Sequence, residues 1–174
     1  MTEARQPGYL SPPNLLWPRE YQLAAQAIDD AYDGAIELHH IGSTSVPGLY
    51  AKDCIDILGI VPDLAKVSSQ VNHLLALGYE HRGAYGITGR EYFSRPRRKT
   101  HLHIYARGNP QIERHLSFVE AMRSSPAQVA ALNRLKQQLY EQFPNDQKAY
   151  QQGKQHFYEQ LLTTATLQNS TFTL

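Results

Sequence analysis

Apolar residues recur along this chain with two periods, and the changes of period mark its elements. From Pro18 to Tyr32 the spacing is helical: Tyr21, Ala25, Ile28 and Tyr32 fall on one stripe, and Pro18 suits a first turn. Gly34 interrupts that pattern. Residues 36–41, IELHHI, alternate like a strand, with Ile36, Leu38 and His40 facing one way. A turn of small residues follows, then a second alternating run, CIDILGIV. Asp63 is a good N-cap for a helix whose stripe is Leu64, Val67, Val71 and Leu74, ending at Gly78. YEHRG, REYFSRP and KTHLHIYAR predict a three-stranded meander. The remainder predicts helices, with Ile112, Leu116, Val119 and Met122 on one stripe and Leu132, Leu135 and Leu139 on another. A last helix is expected from about Asp146 to about Thr163, ahead of an irregular tail, TLQNSTFTL. Strands mixed with helices, followed by several helices, predict an α+β (mixed α/β) fold.

Certain polar residues break these patterns. In the second strand Cys54, Asp56, Leu58 and Ile60 share one face, while Ile55, Ile57 and Val61 share the other. An isolated ionised carboxylate in an apolar layer is costly, so Asp56 is expected to be neutralised, paired or metal-bound. The bland alternative places it near an exposed strand end, paired with Lys52 or an arginine. The turn before it, GSTSVPG, invites a phosphate-loop reading, because glycine lets backbone N–H groups approach an anion. It lacks the GK[ST] ending of a Walker A loop and closes instead on Gly48, Leu49 and Tyr50. It is no nucleophile elbow either, since Thr44 has no glycine two places later. A strand-to-helix turn with Ser45 capping at Pro47 fits the same residues.

In RPRRKTHLHIYAR, alternation puts His101, His103 and Tyr105 on one face and Leu102 and Ile104 on the other. Two imidazoles at i and i+2 can reach a common metal or phosphate oxygen. Arg95, Arg97, Arg98 and Lys99 form a basic cluster upstream, either a solvated hairpin or a partner for a polyanion. Lys154 interrupts the stripe Tyr150, Phe157 and Leu161, and Lys136 lies between Leu132 and Leu139. Snorkelling, with a buried stem and a wet head, is the reading for Lys136. Both that and a functional role stay open for Lys154, which follows Gly153 and has aromatic neighbours.

Length and charge narrow the classes. The chain has 174 residues, which suits one domain over 1–174. A formal charge of +1 gives no global drive towards nucleic acid or membrane. The single cysteine, Cys54, excludes an internal disulfide and fits a reducing compartment. The first residues, MTEARQPG, lack the apolar core of a signal peptide, and no apolar run approaches the ~20 residues of a membrane span. A soluble cytoplasmic protein is the expectation.

HIGSTSVPGLYAKDCIDIL resembles the signature segment of the GrpB family, a branch of the nucleotidyltransferase-like superfamily. The resemblance continues through HLHIY, RHLSF, Arg123 with Pro126 after it, Leu135–Lys136 and AYQQGKQHF, from Trp17 to about Leu162. It implies a nucleotidyltransferase-like mixed β-sheet flanked by helices, with a Gly-Ser loop leading into a carboxylate strand. It also implies a nucleotide-related setting, since some relatives are fused to dephospho-coenzyme A kinase. In active nucleotidyltransferases Gly-Ser grips the triphosphate, two aspartates separated by one residue hold magnesium, and a third acid stands on another strand. Here Gly42 and Ser43 match the loop and Asp56 matches the second aspartate. Cys54 takes the place of the first, and Asp53 has the wrong parity. His101 and His103 lie about where the third acid is expected. After RHL, where relatives commonly show Arg-Asp, Val119 and Glu120 stand.

The resulting expectation is a nucleotidyltransferase-like protein acting on or binding a nucleotide or other phosphorylated small molecule. Gly42, Ser43, Thr44, Lys52, Arg98, Tyr150 and Lys154 would face phosphate. Asp56, His101 and His103 would carry catalysis and, with a divalent Mg, Mn or Zn, the metal. One carboxylate with two histidines suits a transition metal or a metal-free phosphate site better than magnesium. A non-catalytic nucleotide-binding module that has lost the paired aspartates is the alternative. RNA binding through the arginine cluster is disfavoured by the near-zero charge and the lack of an aromatic stacking motif.

Overall fold

Parity along the second strand divides the molecule into two cores. The computed structural model describes residues 10–171; the side chains of Arg98 and of 165–171 lie outside the described set, as do residues 1–9 and 172–174. Five strands form one sheet: β1 (Glu37–Ile41), β2 (Ile55–Val61), β3 (Glu80–Gly83), β4 (Arg90–Arg95) and β5 (Thr100–Ala106). Their order is β1-β2-β5-β4-β3, with β2 and β5 parallel and every other pair antiparallel. The expected meander is therefore present, and the fold is the expected α+β type. Ile55, Ile57, Val61, Leu102 and Ile104 face one core, with Trp17, Ala24 and Ile28 of α1 (Trp17–Ala31) and Leu74 of α2 (Val71–Ala76). Leu58, Ile60 and Tyr105 face the other, with residues of α3 (Pro110–Arg123), α4 (Pro126–Gln142) and α5 (Gln147–Thr171). Each fully buried Ile or Leu contributes roughly 1.5–3 kcal/mol. β2 is buried at every position but Asp56, whose side chain keeps 31% of its surface exposed.

Local chemistry sets the helix ends. Asn109 and Ser125 cap α3 and α4 by accepting from Gln111 N and Gln128 N, each with proline in the first turn. Asp63 accepts from Ala65 N as expected, but residues Leu64–Gln70 form a 3-10 helix before α2 begins. The hydroxyls of Ser68 and Ser69 donate back to Ala65 O and Lys66 O, which favours the tighter turn. Ala24 lies deeper than Ala25, because the buried arc of α1 is centred on Trp17 and Ile28. The tail expected to be irregular is helical to Thr171. No glycine or proline follows Gly153, and Thr163 and Thr164 donate to Glu159 O and Gln160 O along the helix.

Candidate functional site

The small-residue turn joins β1 to β2 rather than a strand to a helix. Ser43–Ser45 form one 3-10 turn, Val46 is extended, and Ser45 Oγ donates to Gly42 O instead of capping at Pro47. Gly42 has φ +72°, and a Cβ there would lie 3.0 Å from Asp56 Oδ2. Glycine thus lets the turn lie against the carboxylate. Two helices hold the turn in place. Arg123 of α3 donates through Nε and Nη2 to Ser45 O at 3.0 and 2.8 Å. On α4, Asn133 donates to Gly48 O and accepts from Tyr50 N, both at 2.9 Å. Lys136 Nζ donates to Ser43 Oγ at 2.8 Å and Tyr50 O at 2.6 Å. Lys136 is 1% exposed, so its head lies inside and does not snorkel.

Register brings the strand residues together. Asp56 pairs directly with His101 across the parallel β2–β5 ladder, and Leu58 with His103. Asp56 Oδ1 is 3.5 Å from His101 Nδ1 and accepts from His103 Nε2 at 3.1 Å. Arg90 Nη1 lies 3.3 Å from the other nitrogen of His103, Nδ1, and a guanidinium can only donate. His103 therefore carries its proton on Nε2, aimed at Asp56. Arg90 is itself fixed by Ala84 O, Tyr85 O and the face of Tyr92. Burial works to raise the Asp56 carboxyl, but the hydrogen bonds and charge of His101 and His103 outweigh it and hold it well below the usual carboxylate range. Cys54 Sγ lies 3.4 Å from His101 Nδ1, and burial followed by the Asp56 charge pushes its thiol up to about 12. His115 of α3 packs beside His103, and burial lowers it to about 4. His40 is likewise lowered to about 4 by burial; it stacks on Tyr21, with Nε2 2.9 Å from Thr44 Oγ1.

Part of this set lines one cavity of about 250 Å³, with Gly42, Ser43 and Thr44 on the turn and Cys54, Asp56 and His101 on or beside the strands. Lys52, Lys136, Tyr150 and Lys154 complete the wall, so eight of the ten expected site residues meet here. His103 stands behind Asp56. Arg98 has its side chain outside the described set, but its neighbours Arg95, Arg97 and Lys99 line a separate cavity of about 470 Å³ with α1 residues. Lys154 is 8% exposed; its ammonium lies 4.6 Å from the Tyr150 ring centroid and 5.8 Å from that of Tyr158. Burial lowers Lys154 to about 8, and burial plus the Lys154 charge lowers Lys136 well below the ordinary lysine value. Among the described residues, neither lysine has a carboxylate within ion-pair distance. Asp53 points away and accepts from Trp17 Nε1, in keeping with its parity. Sequence reasoning undervalued Lys136, although a lysine inside the Leu132–Leu139 stripe was a signal of the same kind as Lys154. Arg90 carried no signal, because only the β4–β5 register puts it beside His103.

The sequence and the fold have known relatives. Residues 9–164 match the model of the GrpB protein family. The chain is 43% identical over 121 residues to UPF0157 protein YqkA of Bacillus subtilis, covering 68% of this chain and 35% of that protein. It is 31% identical over 183 residues to a dephospho-CoA kinase of Mycolicibacterium paratuberculosis, covering 89% of this chain and 45% of the relative. It therefore spans less than half the length of either of these relatives. The crystal structure of conserved protein GrpB from Enterococcus faecalis superposes with a TM-score of 0.85 at 34% identity, covering 92% of this chain and 98% of the other. The chain belongs to the GrpB family.

Proposed function

We propose that this chain binds the phosphate portion of a nucleotide or another phosphorylated small molecule in the cavity between the Gly42–Ser43 turn and α5. The observation that carries this reading is Lys154, a buried ammonium that faces aromatic rings and forms no ion pair among the described residues. A buried charge without a countercharge is costly, and an anion in the cavity would supply the missing partner. Lys136 and Lys52 add to the attraction, against Asp56 as the one carboxylate among the lining residues. A volume of about 250 Å³ falls below the ~300–1,000 Å³ of sites that enclose a whole ligand. The cavity thus suits a charged head, with the rest of the ligand outside. That one relative is named dephospho-CoA kinase agrees with a ligand of the nucleotide class.

The Arg90–His103–Asp56 chain supports a transfer reaction at that phosphate. An ionised Asp56 beside His101 can orient an attacking hydroxyl by accepting its hydrogen bond. The new oxygen–phosphorus bond forms as the bond to the departing pyrophosphate breaks, the hydroxyl proton passes to solvent, and the lysines neutralise charge on the phosphate oxygens. Magnesium, which the resemblance to nucleotidyltransferases implies, does not fit this donor set. Mg²⁺ prefers several oxygens in octahedral array, and here one carboxylate stands with a thiol and imidazoles.

Calorimetric titration of the full chain with nucleoside triphosphates and pyrophosphate, in the presence of EDTA, tests the binding step. Wild type binds at least one of them, and K154M weakens that affinity tenfold or more. D56N keeps the affinity and loses turnover. Absence of binding by wild type to every phosphorylated compound tried would remove the reading.

A further inference from the structure

The same cavity holds a set of donors that phosphate binding does not use. Cys54 Sγ, an Asp56 carboxylate oxygen and His101 Nδ1 all lie within 4.8 Å of one another. Two of the three separations are tighter: Sγ to Nδ1 is 3.4 Å and Nδ1 to Oδ1 is 3.5 Å. Zinc bonds of about 2.3 Å to sulfur and about 2.0–2.1 Å to nitrogen or oxygen give tetrahedral edges of about 3.3–3.6 Å. The two separations that involve His101 Nδ1 already have the length of such edges, and the third lies within 4.8 Å. The elements explain why. Cys54 leads into β2, Asp56 points to the same side of that strand, and the parallel register sets His101 directly opposite Asp56.

We infer that Cys54, Asp56 and His101 form a binding site for a soft divalent transition metal of the zinc class, with a fourth position open to the cavity. One thiolate, one carboxylate and one imidazole form a mixed soft and borderline donor set, suited to zinc rather than magnesium. Binding exchanges the Cys54 proton for the metal and releases it to solvent, so two anionic ligands balance the dication. His103 is the positioning residue: its Nε2–H, aimed by Arg90, holds Asp56 Oδ1. Ligating carboxylates and imidazoles are commonly held in this manner by groups behind them. The site shares Asp56 and His101 with the transfer step proposed above, but phosphate binding rests on the lysines, so metal binding and phosphate binding can each be tested without the other.

Cobalt(II) is the probe, because a thiolate ligand gives it a near-ultraviolet charge-transfer band and tetrahedral ligation gives strong visible bands. Cys54 is the one cysteine of the chain, so any thiolate band reports on this residue alone. Titration of the full chain, reduced with a phosphine and free of phosphorylated ligands, is expected to saturate at one equivalent with both sets of bands. Zinc should displace the cobalt, and a large excess of magnesium should not. C54S, checked for wild-type circular dichroism, should lose the charge-transfer band, with C54A as a second variant should C54S fail to fold. H101Q and D56N should each weaken cobalt binding at least tenfold. A wild-type titration without a thiolate band, or a band that survives in C54S, would overturn the site.

Discussion

Gly42 does for the site what no other residue can. Its φ of +72° lies in the left-handed region, where an L side chain costs roughly 1–2 kcal/mol, and its missing Cβ leaves room for Asp56 Oδ2. An added methyl would lie 3.0 Å from that oxygen, so the turn or the carboxylate must give way. G42A is therefore expected to lower stability by roughly 1–3 kcal/mol, measured by urea unfolding, and to weaken triphosphate binding as well. Ser43 separates fold from ligand less cleanly. Its Oγ accepts from Lys136 and it also lines the cavity, so its loss disturbs the turn and the cavity together. Unchanged stability and unchanged binding in G42A would mean that the close approach of turn and carboxylate has no consequence.

The elements act as clamps on that turn, and this is the scale at which sequence and structure part. Parity placed Asp56 on one face of β2 and His101 and His103 on one face of β5, because a strand has a strict period of two. It could not supply the parallel β2–β5 register, which joins segments more than forty residues apart. Nor could the helical stripes show where the lysine heads point. Lys136 and Lys154 each interrupt an apolar stripe, but capture by Ser43 and Tyr50 in one case and by aromatic faces in the other depends on how α4 and α5 pack. Gly153 lies at the contact of α5 with α4. A Cβ there would come within 2.5 Å of Leu139 Cδ2, so the Leu139 side chain would have to shift. G153V, which adds a branched side chain at this contact, is expected to cost roughly 1–3 kcal/mol and to move Lys154 from the cavity. Thermal unfolding and triphosphate titration should both register the change. A variant that binds as tightly as wild type would show that the helix contact does not position the ammonium.

At the scale of the whole molecule, Lys154, which has no carboxylate partner among the described residues, makes stability and binding respond to pH in opposite directions. Lys154 is lowered by burial from 10.5 to about 8. Below pH 8 both folded and unfolded chains hold its proton, whereas between about 8 and 10.5 the unfolded chain alone does. Unfolding then takes up a proton, so this group makes the fold more stable as pH rises through that window, by on the order of 3 kcal/mol at most. Ligand binding follows the opposite sign, because the protonated lysine is the form that attracts phosphate. Affinity for a nucleoside triphosphate, whose own phosphates stay fully ionised here, is expected to fall above pH 8 by up to about tenfold per pH unit. Of the groups around Lys154, Lys136 is also lowered by burial and moves stability in the same direction, Asp56 stays ionised throughout, and Tyr158, raised by burial, moves it in the opposite one; variants at Lys154 isolate this lysine's share. K154R keeps its charge to above pH 12 or so, and should bind with an affinity that no longer breaks near 8. K154M should bind weakly at every pH and be more stable than wild type at neutral pH, since it removes a buried charge. Calorimetry from about pH 7 to about pH 10 on the three proteins decides the matter. A wild-type affinity that stays level across the range would show that the Lys154 ammonium does not contact the anion.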